Sequence, residues 1–162
     1  MAQPDYFLKL DGIQGESQDS VHKDEIQLLS VSFGVSNHGA GGFGKGSGSS
    51  KSDVGDIHIT KRVDHSSPAL FKACATGQSI GDGILTLRKA GGSTAVEYLV
   101  LKLTEVFVSS FNVGAQDSGD IAYETVGLNF AKIEFLYTPQ NAQGGAEGVV
   151  QTGYDVKANL GS

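Results

Sequence analysis

Six polar residues between positions 16 and 25 form the densest group of side chains that could perform acid–base or metal chemistry: Glu16, Ser17, Asp19, His22, Asp24 and Glu25. A hydrolytic triad needs a nucleophile, a base and an orienting group, and these usually come from separate segments. His22 and Glu25, at a spacing of three, could bind one metal ion only on a helix, and no second His-rich segment is evident. We therefore predict that this group makes turn, capping and interface hydrogen bonds, with no catalytic residue and no metal site.

The other candidates for chemistry are isolated in the sequence. His58 and His65 have no companion motif. Three charged residues that follow His58 are interpreted as solvated or as paired at a subunit contact, namely Lys61, Arg62 and Asp64. Cys74 is the only cysteine, so neither an intramolecular disulfide nor a multi-cysteine metal site can form.

A glycine-rich segment from Ser36 to Asp56 resembles two nucleotide-binding motifs in composition. Gly39 to Gly44 fits G-x-G-x-x-G, and Gly39 to Gly46 fits a P-loop except that Gly46 replaces its final Ser or Thr. Both motifs need a helix directly afterwards, whose N-terminal amides hold the phosphates. The serines and glycines that follow cannot propagate a helix, so we predict a loop and no cofactor. At about twenty residues the loop exceeds ordinary connections, which indicates either disorder or contact with another chain.

The length and charge of the chain limit the classes of protein to consider. A chain of 162 residues fits one domain, so we expect a single domain over 1–162. Twelve basic and 18 acidic residues give a net charge of −6, which argues against nucleic-acid binding. No apolar run approaches the roughly 18 residues of a membrane span. The N-terminus has no signal-peptide pattern, so we expect a soluble protein made in the cytoplasm and exported, if at all, without a cleaved leader.

Alternating apolar and polar residues predict a mostly β protein. The first strand covers Tyr6 to Leu10, and the second runs from about Glu25 to Val35. In the second strand one face is predicted to be core, with Leu29, Val31, Phe33 and Val35. The opposite face is small, polar and solvated, with Ser30, Ser32, Gly34 and Ser36.

Two hairpins are predicted in the second half of the chain. The first joins Ile84–Lys89 to Thr94–Glu105 through Ala90–Ser93, because adjacent glycines suit tight turns. The second leads from Val106–Phe111 into Ile121–Tyr137, where Pro139 ends the strand. In that last strand Val126, Leu128 and Phe130 share one face, and a final short strand is predicted over Gly153–Val156.

One helix is predicted between Ser67 and Gly77. Ser67 can cap its N-terminus, Pro68 suits the first turn and Gly77 can end it in the left-handed conformation. A helix of about nine residues is marginal alone, so its apolar stripe must dock on the sheet. The predicted docking residues are Leu70, Phe71 and Cys74, with Cys74 acting as a small buried apolar side chain.

Several motifs, taken in order and spacing, resemble the haemolysin co-regulated protein (Hcp) family of type VI secretion systems. They are Gly12-Ile13-Gln14-Gly15-Glu16-Ser17 with Asp19, His22, Glu25 and Ile26; Lys61 with Asp64 and Ser67-Pro68; Leu87-Arg88-Lys89-Ala90-Gly91-Gly92 with Val96-Glu97-Tyr98-Leu99; Val108-Ser109-Ser110; Leu128-Asn129-Phe130-Ala131; Tyr137-Thr138-Pro139-Gln140; and Gly153-Tyr154-Asp155-Val156. The resemblance covers nearly the whole chain.

The resemblance implies a β-barrel of two antiparallel sheets with one short flanking α-helix, assembled as a six-membered ring around a channel. Such rings stack into the inner tube of a contractile injection machine, which exports the protein itself. The implied partners are copies of the same chain, effector proteins held in the channel, and the spike and sheath proteins of the apparatus. Neither nucleic acid, membrane insertion nor enzymatic activity is implied.

Two surfaces are assigned on the sequence and the resemblance together. Ser30 and Ser32 are predicted to line the channel and contact effectors, because a small hydroxylated face leaves room for cargo. The glycine loop from Gly39 to Asp53 is predicted to lie between successive rings, through Gly39, Gly41, Gly42, Phe43, Gly44 and Lys45.

Two alternatives without ring assembly remain open from the residues alone. A small β-barrel hydrolase would use His22 or His65 with nearby carboxylates. A carbohydrate-binding sandwich would need an exposed aromatic platform, although the chain has no Trp and only five Tyr.

Overall fold

A computed structural model describes residues 5–37, 52–89 and 95–161 of the chain. These residues form eleven strands and one helix: β1 (Asp5–Leu10), β2 (Ile26–Leu28), β3 (Ser30–Ser32), β4 (Val35–Asn37), β5 (Ser52–Val54), β6 (Ile57–Arg62), α1 (Ser67–Thr76), β7 (Gly81–Lys89), β8 (Val96–Gly114), β9 (Tyr123–Tyr137), β10 (Val150–Asp155) and β11 (Leu160–Gly161). The predicted fold class, mostly β with antiparallel sheets and one short helix, is confirmed.

The main sheet curls back on itself. Pairing runs from β2 through β1, β7, β8 and β9 to β6, and β6 pairs with β3. Leu29 joins β2 to β3, and its N–H donates to the carbonyl of Thr60 at 2.7 Å. The path of ladders therefore returns to its start and encloses a core. Strands β10 and β11 extend this sheet beyond β9, and β4 pairs with β5 in a second, two-stranded sheet.

Aliphatic side chains from every part of this circuit fill the core. Strand β9 shows the alternation: Val126, Leu128 and Phe130 are buried, whereas Thr125 and Asn129 are exposed. The fully buried members elsewhere are Leu8, Ile26, Ile57, Ile59, Leu70, Leu85 and Val106. The predicted shared face of Val126, Leu128 and Phe130 is thus a core face.

The predicted strand from Glu25 to Val35 is broken into β2, β3 and β4. Leu28 is buried and the adjacent Leu29 is exposed, because the chain bends at Leu29 where its pairing passes from β1 to β6. A one-residue slip moves side chains to the other face. The predicted core position of Leu29 is therefore wrong, although Val31 and Phe33 pack partly on the core. The predicted core position of Val35 is also wrong, because Val35 belongs to β4, which pairs with β5 in the separate two-stranded sheet.

The two predicted hairpins share one long strand. Strand β7 pairs with β8 as predicted, but β8 runs for 19 residues without the predicted break near Glu105. The backbone of β8 is instead irregular at Glu105, which has a positive φ of 54° inside the strand. Strand β9 ends at Tyr137, close to Pro139 as predicted.

Helix α1 caps the barrel with one side chain fully in the core, that of Leu70. Its N-cap is Ser66, one residue before the predicted Ser67, and Gly77 ends it in the left-handed conformation at φ 67°. Cys74 packs partly against the core. Phe71 makes an edge-on contact with the Phe111 ring of β8 but is 61% exposed, so it lies at the margin of the docked stripe. Adjacent helical residues point about 100° apart, and Leu70 takes the inward direction.

Candidate functional site

A polar surface covers the outer face of four neighbouring strands, β3, β6, β9 and β8. In one cross-strand row Ser30 lies opposite Thr60, Thr60 opposite Thr125, and Thr125 opposite Asn112. Residues paired in this way project to the same face of a sheet. Ser30, Thr125 and Asn112 are exposed there, and Thr60 is half-buried.

A second row runs beside the first. It contains Ser32, His58, Gly127 and Ser110 in successive strands. Gly127 is required by close packing, because a Cβ there would lie 2.5 Å from the Ser110 Oγ and 2.7 Å from the Ser109 Oγ. Gly127 is itself buried beneath these two hydroxyls, which form the surface at this point. We call the two rows together with Ser109 the hydroxyl surface.

One carboxylate borders the hydroxyl surface and is held in place. Asp56 accepts hydrogen bonds from the Ser109 hydroxyl at 2.6 Å and from the Asn129 amide at 3.0 Å. Strand β6 presents His58 and Thr60 on the outer face, directly after Asp56, while Ile57 and Ile59 fill the core. This alternation is visible in the sequence, and it is the signal that could have identified β6, which we did not predict.

The hydroxyl surface is suited to contact through hydrogen bonds. Its side chains are short hydroxyl and amide groups with one imidazole, and they offer hydrogen bonds without a deep cavity or an aromatic anchor. Ser30 and Ser32, the two residues assigned from the sequence, lie at its edge in β3. The remaining members could not be found from local sequence because three other strands bring them alongside.

Lys61 does not lie at the surface, which corrects its predicted solvated or subunit-contact role. Its side chain is fully buried, and its Nζ lies 2.9 Å from the Asp64 Oδ1 and 3.2 Å from the Glu124 Oε2. The ammonium also donates to Ser67 Oγ at 3.3 Å, and the Ser67 hydroxyl donates to Glu124. This buried cluster joins β6, β9 and the first residue of α1, so it positions the helix on the barrel.

His22 lies in a loop that folds over the outside of β1. Its Nδ1 is 2.8 Å from the Glu25 Oε2, its Nε2 is 2.6 Å from the Glu97 Oε1, and its ring stacks on Phe7 at 4.4 Å. Asp19 accepts the backbone N–H groups of Val21 and His22, as expected of a turn. Both ring nitrogens of His22 face carboxylates, so neither faces a hydroxyl or thiol nucleophile.

Arg88 anchors the same loop to the sheet through Asp19. Its guanidinium bonds Asp19 at 2.5 Å and Asp5 at 2.8 Å, and it lies over the Phe7 ring at 5.0 Å. The hydrogen bond from Arg88 holds the pKa of the Asp19 carboxyl well below its usual value, opposed by partial burial and assisted by the Val21 and His22 amides. The polar loop is thus a stabilised covering of the sheet.

The metal, membrane and loop assignments made from the sequence are compared with the structure over the residues that it describes. Across 5–37, 52–89 and 95–161 no group of three or more His, Cys, Asp and Glu side chains could hold a metal ion. Within the described part of the chain no helix is long and apolar enough to span a membrane. The assigned loop residues Gly39, Gly41, Gly42, Phe43, Gly44 and Lys45 lie outside the described residues.

Comparison with known proteins gives one consistent family. Residues 7–137 match the family model described as "Type VI secretion system effector, Hcp". The chain is 41% identical over 157 residues to protein hcp1 of Pseudomonas aeruginosa, covering 96% of this chain and 97% of that protein.

Solved structures agree. A type six secretion system protein superposes with a TM-score of 0.90 at 28% identity, covering 99% of this chain and 100% of that chain. Hcp1 from Salmonella typhimurium superposes with a TM-score of 0.81 at 34% identity, with coverage of 99% and 100%. Sequence and fold together place the chain in the Hcp family, the secreted, tube-forming proteins of type VI secretion systems.

Proposed function

We propose that this chain assembles as six-membered rings stacked into the tube, and that the hydroxyl surface lines the channel. The observation that carries the proposal is the continuity of short, neutral, hydrogen-bonding side chains across four strands. A channel that passes different proteins needs a wall without bulky anchors, and above the buried Gly127 this surface is formed by the short Ser109 and Ser110 side chains.

Effector proteins are the proposed cargo, with Ser30 and Ser32 in contact with them. Short hydroxyls donate and accept hydrogen bonds, and water can bridge them to a polar cargo surface. The spike and sheath proteins of the apparatus are the other proposed partners. The whole chain acts as one domain, is made in the cytoplasm and is exported by the apparatus that it helps to build.

Replacing Ser32 by Gln tests the channel assignment. The longer side chain projects into the proposed channel, so we expect effector capture to fall while rings persist. Effector pull-down and electron microscopy of the same sample measure the two properties. The matched control is Ser20→Gln, at an exposed serine in the loop over β1. Unchanged capture by Ser32→Gln would refute the assignment, and the absence of annular particles from the unaltered protein would refute ring assembly.

The glycine loop is proposed to mediate contact between successive rings. It connects β4 to β5, which pair through Asn37 and Ser52 at its two ends. Shortening it by several glycines is expected to leave single rings intact and to impair stacking. The readout is tube length by electron microscopy. Normal tubes from the shortened protein would contradict the proposal.

A further inference from the structure

A core-facing strip of the sheet continues past the barrel into solvent. Along β9 the exposed fraction rises from 6% at Ile133 to 39% at Phe135 and 44% at Tyr137. These three residues share the face of the buried Leu101 and Leu103, because Leu101 lies opposite Phe135 and Leu103 opposite Ile133. The side of the strand that is core within the barrel is therefore uncovered beyond it.

Two further strands enlarge this strip. Val150 of β10 lies opposite Tyr137 and is 65% exposed. Val35 of β4 and Phe135 line one groove, and the volume of this groove is about 490 Å³. We call Val35, Phe135, Tyr137 and Val150 the overhang face. The groove is lined by apolar, amide, hydroxyl and glycine residues without a charged side chain, so it fits an apolar protein surface.

A second, unlike apolar cluster lies around the start of β9, whereas the overhang face lies around its end. Leu29, Val63 and Ile121 are exposed around one groove, which we call the end groove. Charged residues line the same groove, namely Asp5, Glu16, Arg62 and Asp64. Protein interfaces usually combine apolar contacts with polar and charged ones. Ile121 precedes β9 and Tyr137 ends it, so these two members lie at opposite ends of a 15-residue strand of roughly 45 Å. Leu29 and Val35 are six residues apart and mark the near sides of the two clusters, at most roughly 20 Å from each other.

We propose that the overhang face of one protomer packs into the end groove of the next copy of the same chain. Two different apolar surfaces around opposite ends of β9 cannot meet within one subunit. They can meet head to tail between copies, and head-to-tail contacts close into rings when the rotation permits. The proposal rests on the ring assembly proposed above and names the surfaces that make it.

The size of the overhang face supports a whole subunit as its partner. Four half-exposed side chains, two of them aromatic, expose apolar area on the order of a few hundred Å², the size at which patches mark interaction sites. The 38–51 segment, which connects β4 to β5 in the sequence, holds Phe43 as its one large apolar side chain. One large apolar side chain is too small to cover the four side chains of the overhang face.

Two variants and their mixture test the proposal. Val150→Asp places a carboxylate in the overhang face and Ile121→Asp places one in the end groove, both at exposed positions that the fold tolerates. A buried unpaired charge is expected to weaken the contact at least about 100-fold. Each variant alone should therefore be monomeric by analytical ultracentrifugation. Mixed together they retain one intact surface each, so they should form 1:1 dimers and nothing larger.

The control is Val21→Asp, since Val21 is an exposed valine on the loop over β1 and outside both clusters. It should form rings like the unaltered protein. Circular dichroism and the melting temperature of each monomer check folding. Rings from Val150→Asp, or a mixture that stays monomeric, would overturn the proposal. So would a melting temperature of the Val150→Asp monomer clearly below that of the Ile121→Asp monomer, which would show that the chain itself covers the overhang face. If the unaltered protein forms no rings, ring assembly fails as well.

Discussion

Replacing Lys61 by Met tests the buried charge cluster that joins α1 to the barrel. The Lys61 and Glu124 side chains are both fully buried, with 3.2 Å between Nζ and Oε2. Without the ammonium, the Glu124 carboxylate stays buried with the Ser67 hydroxyl as its remaining donor among the bonds described here. Removing one partner of a buried ion pair costs about 3–5 kcal/mol. Because a domain is stabilised by about 5–15 kcal/mol in total, this loss is large.

Urea unfolding followed by circular dichroism measures the effect. All samples need the same protomer concentration, because ring association adds to apparent stability. The control is Lys157→Met. In the unaltered protein the Lys157 Nζ lies 3.6 Å from the Glu105 Oε2, and the Lys157 side chain is 77% exposed. An exposed pair of this kind contributes at most about 1 kcal/mol.

The double variant Lys61→Met with Glu124→Leu separates the cost of an orphaned charge from the value of the pair. Replacing a buried ion pair by apolar residues is often neutral or stabilising. Asp64, the other carboxylate beside Lys61, keeps the Ser66 amide and hydroxyl as donors, so we expect the double variant to recover most of the loss. The reasoning is refuted if Lys61→Met costs no more than Lys157→Met, or if the double variant is less stable than the single one.

Three further predictions concern the core, a close approach and pH. Leu70→Ala should cost about 2–5 kcal/mol in the free energy of unfolding, because Leu70 is fully buried, whereas Phe71→Ala at a largely exposed position should cost less than about 1 kcal/mol. Gly127→Ala should cost about 1–3 kcal/mol, since its Cβ would lie 2.5 Å from a serine oxygen; a neutral result would contradict the packing. Arg88 lowers the pKa of Asp19 on folding, so the ionised carboxylate stabilises the protein above its unfolded pKa of about 4 and loses this effect as pH falls through the folded value. The stability difference between the unaltered protein and Asp19→Asn, from urea titrations, should therefore be full at neutral pH and shrink below about pH 4; a gap independent of pH would refute it.

Local patterns in the sequence predicted the elements whose residues repeat at a regular period. The β7–β8 hairpin, the core face of β9 and the end of α1 at Gly77 all follow from side-chain alternation or from a single favoured backbone conformation. The prediction failed where that regularity is interrupted. A bend at Leu29 shifts the facing of the second strand by one residue, and period-two alternation alone does not reveal such a bend.

The sequence by itself determined a mostly β chain with one helix, an acidic composition and the family motifs, because these depend on residue types and short spacings. The tertiary structure decided which distant residues meet. It buried Lys61 beside Glu124, 63 positions away, and it set Ser30 in line with Thr60, Thr125 and Asn112. Partners of this kind are chosen by strand register, which the hydrogen-bond ladders of the closed sheet fix and which no local stretch of sequence contains.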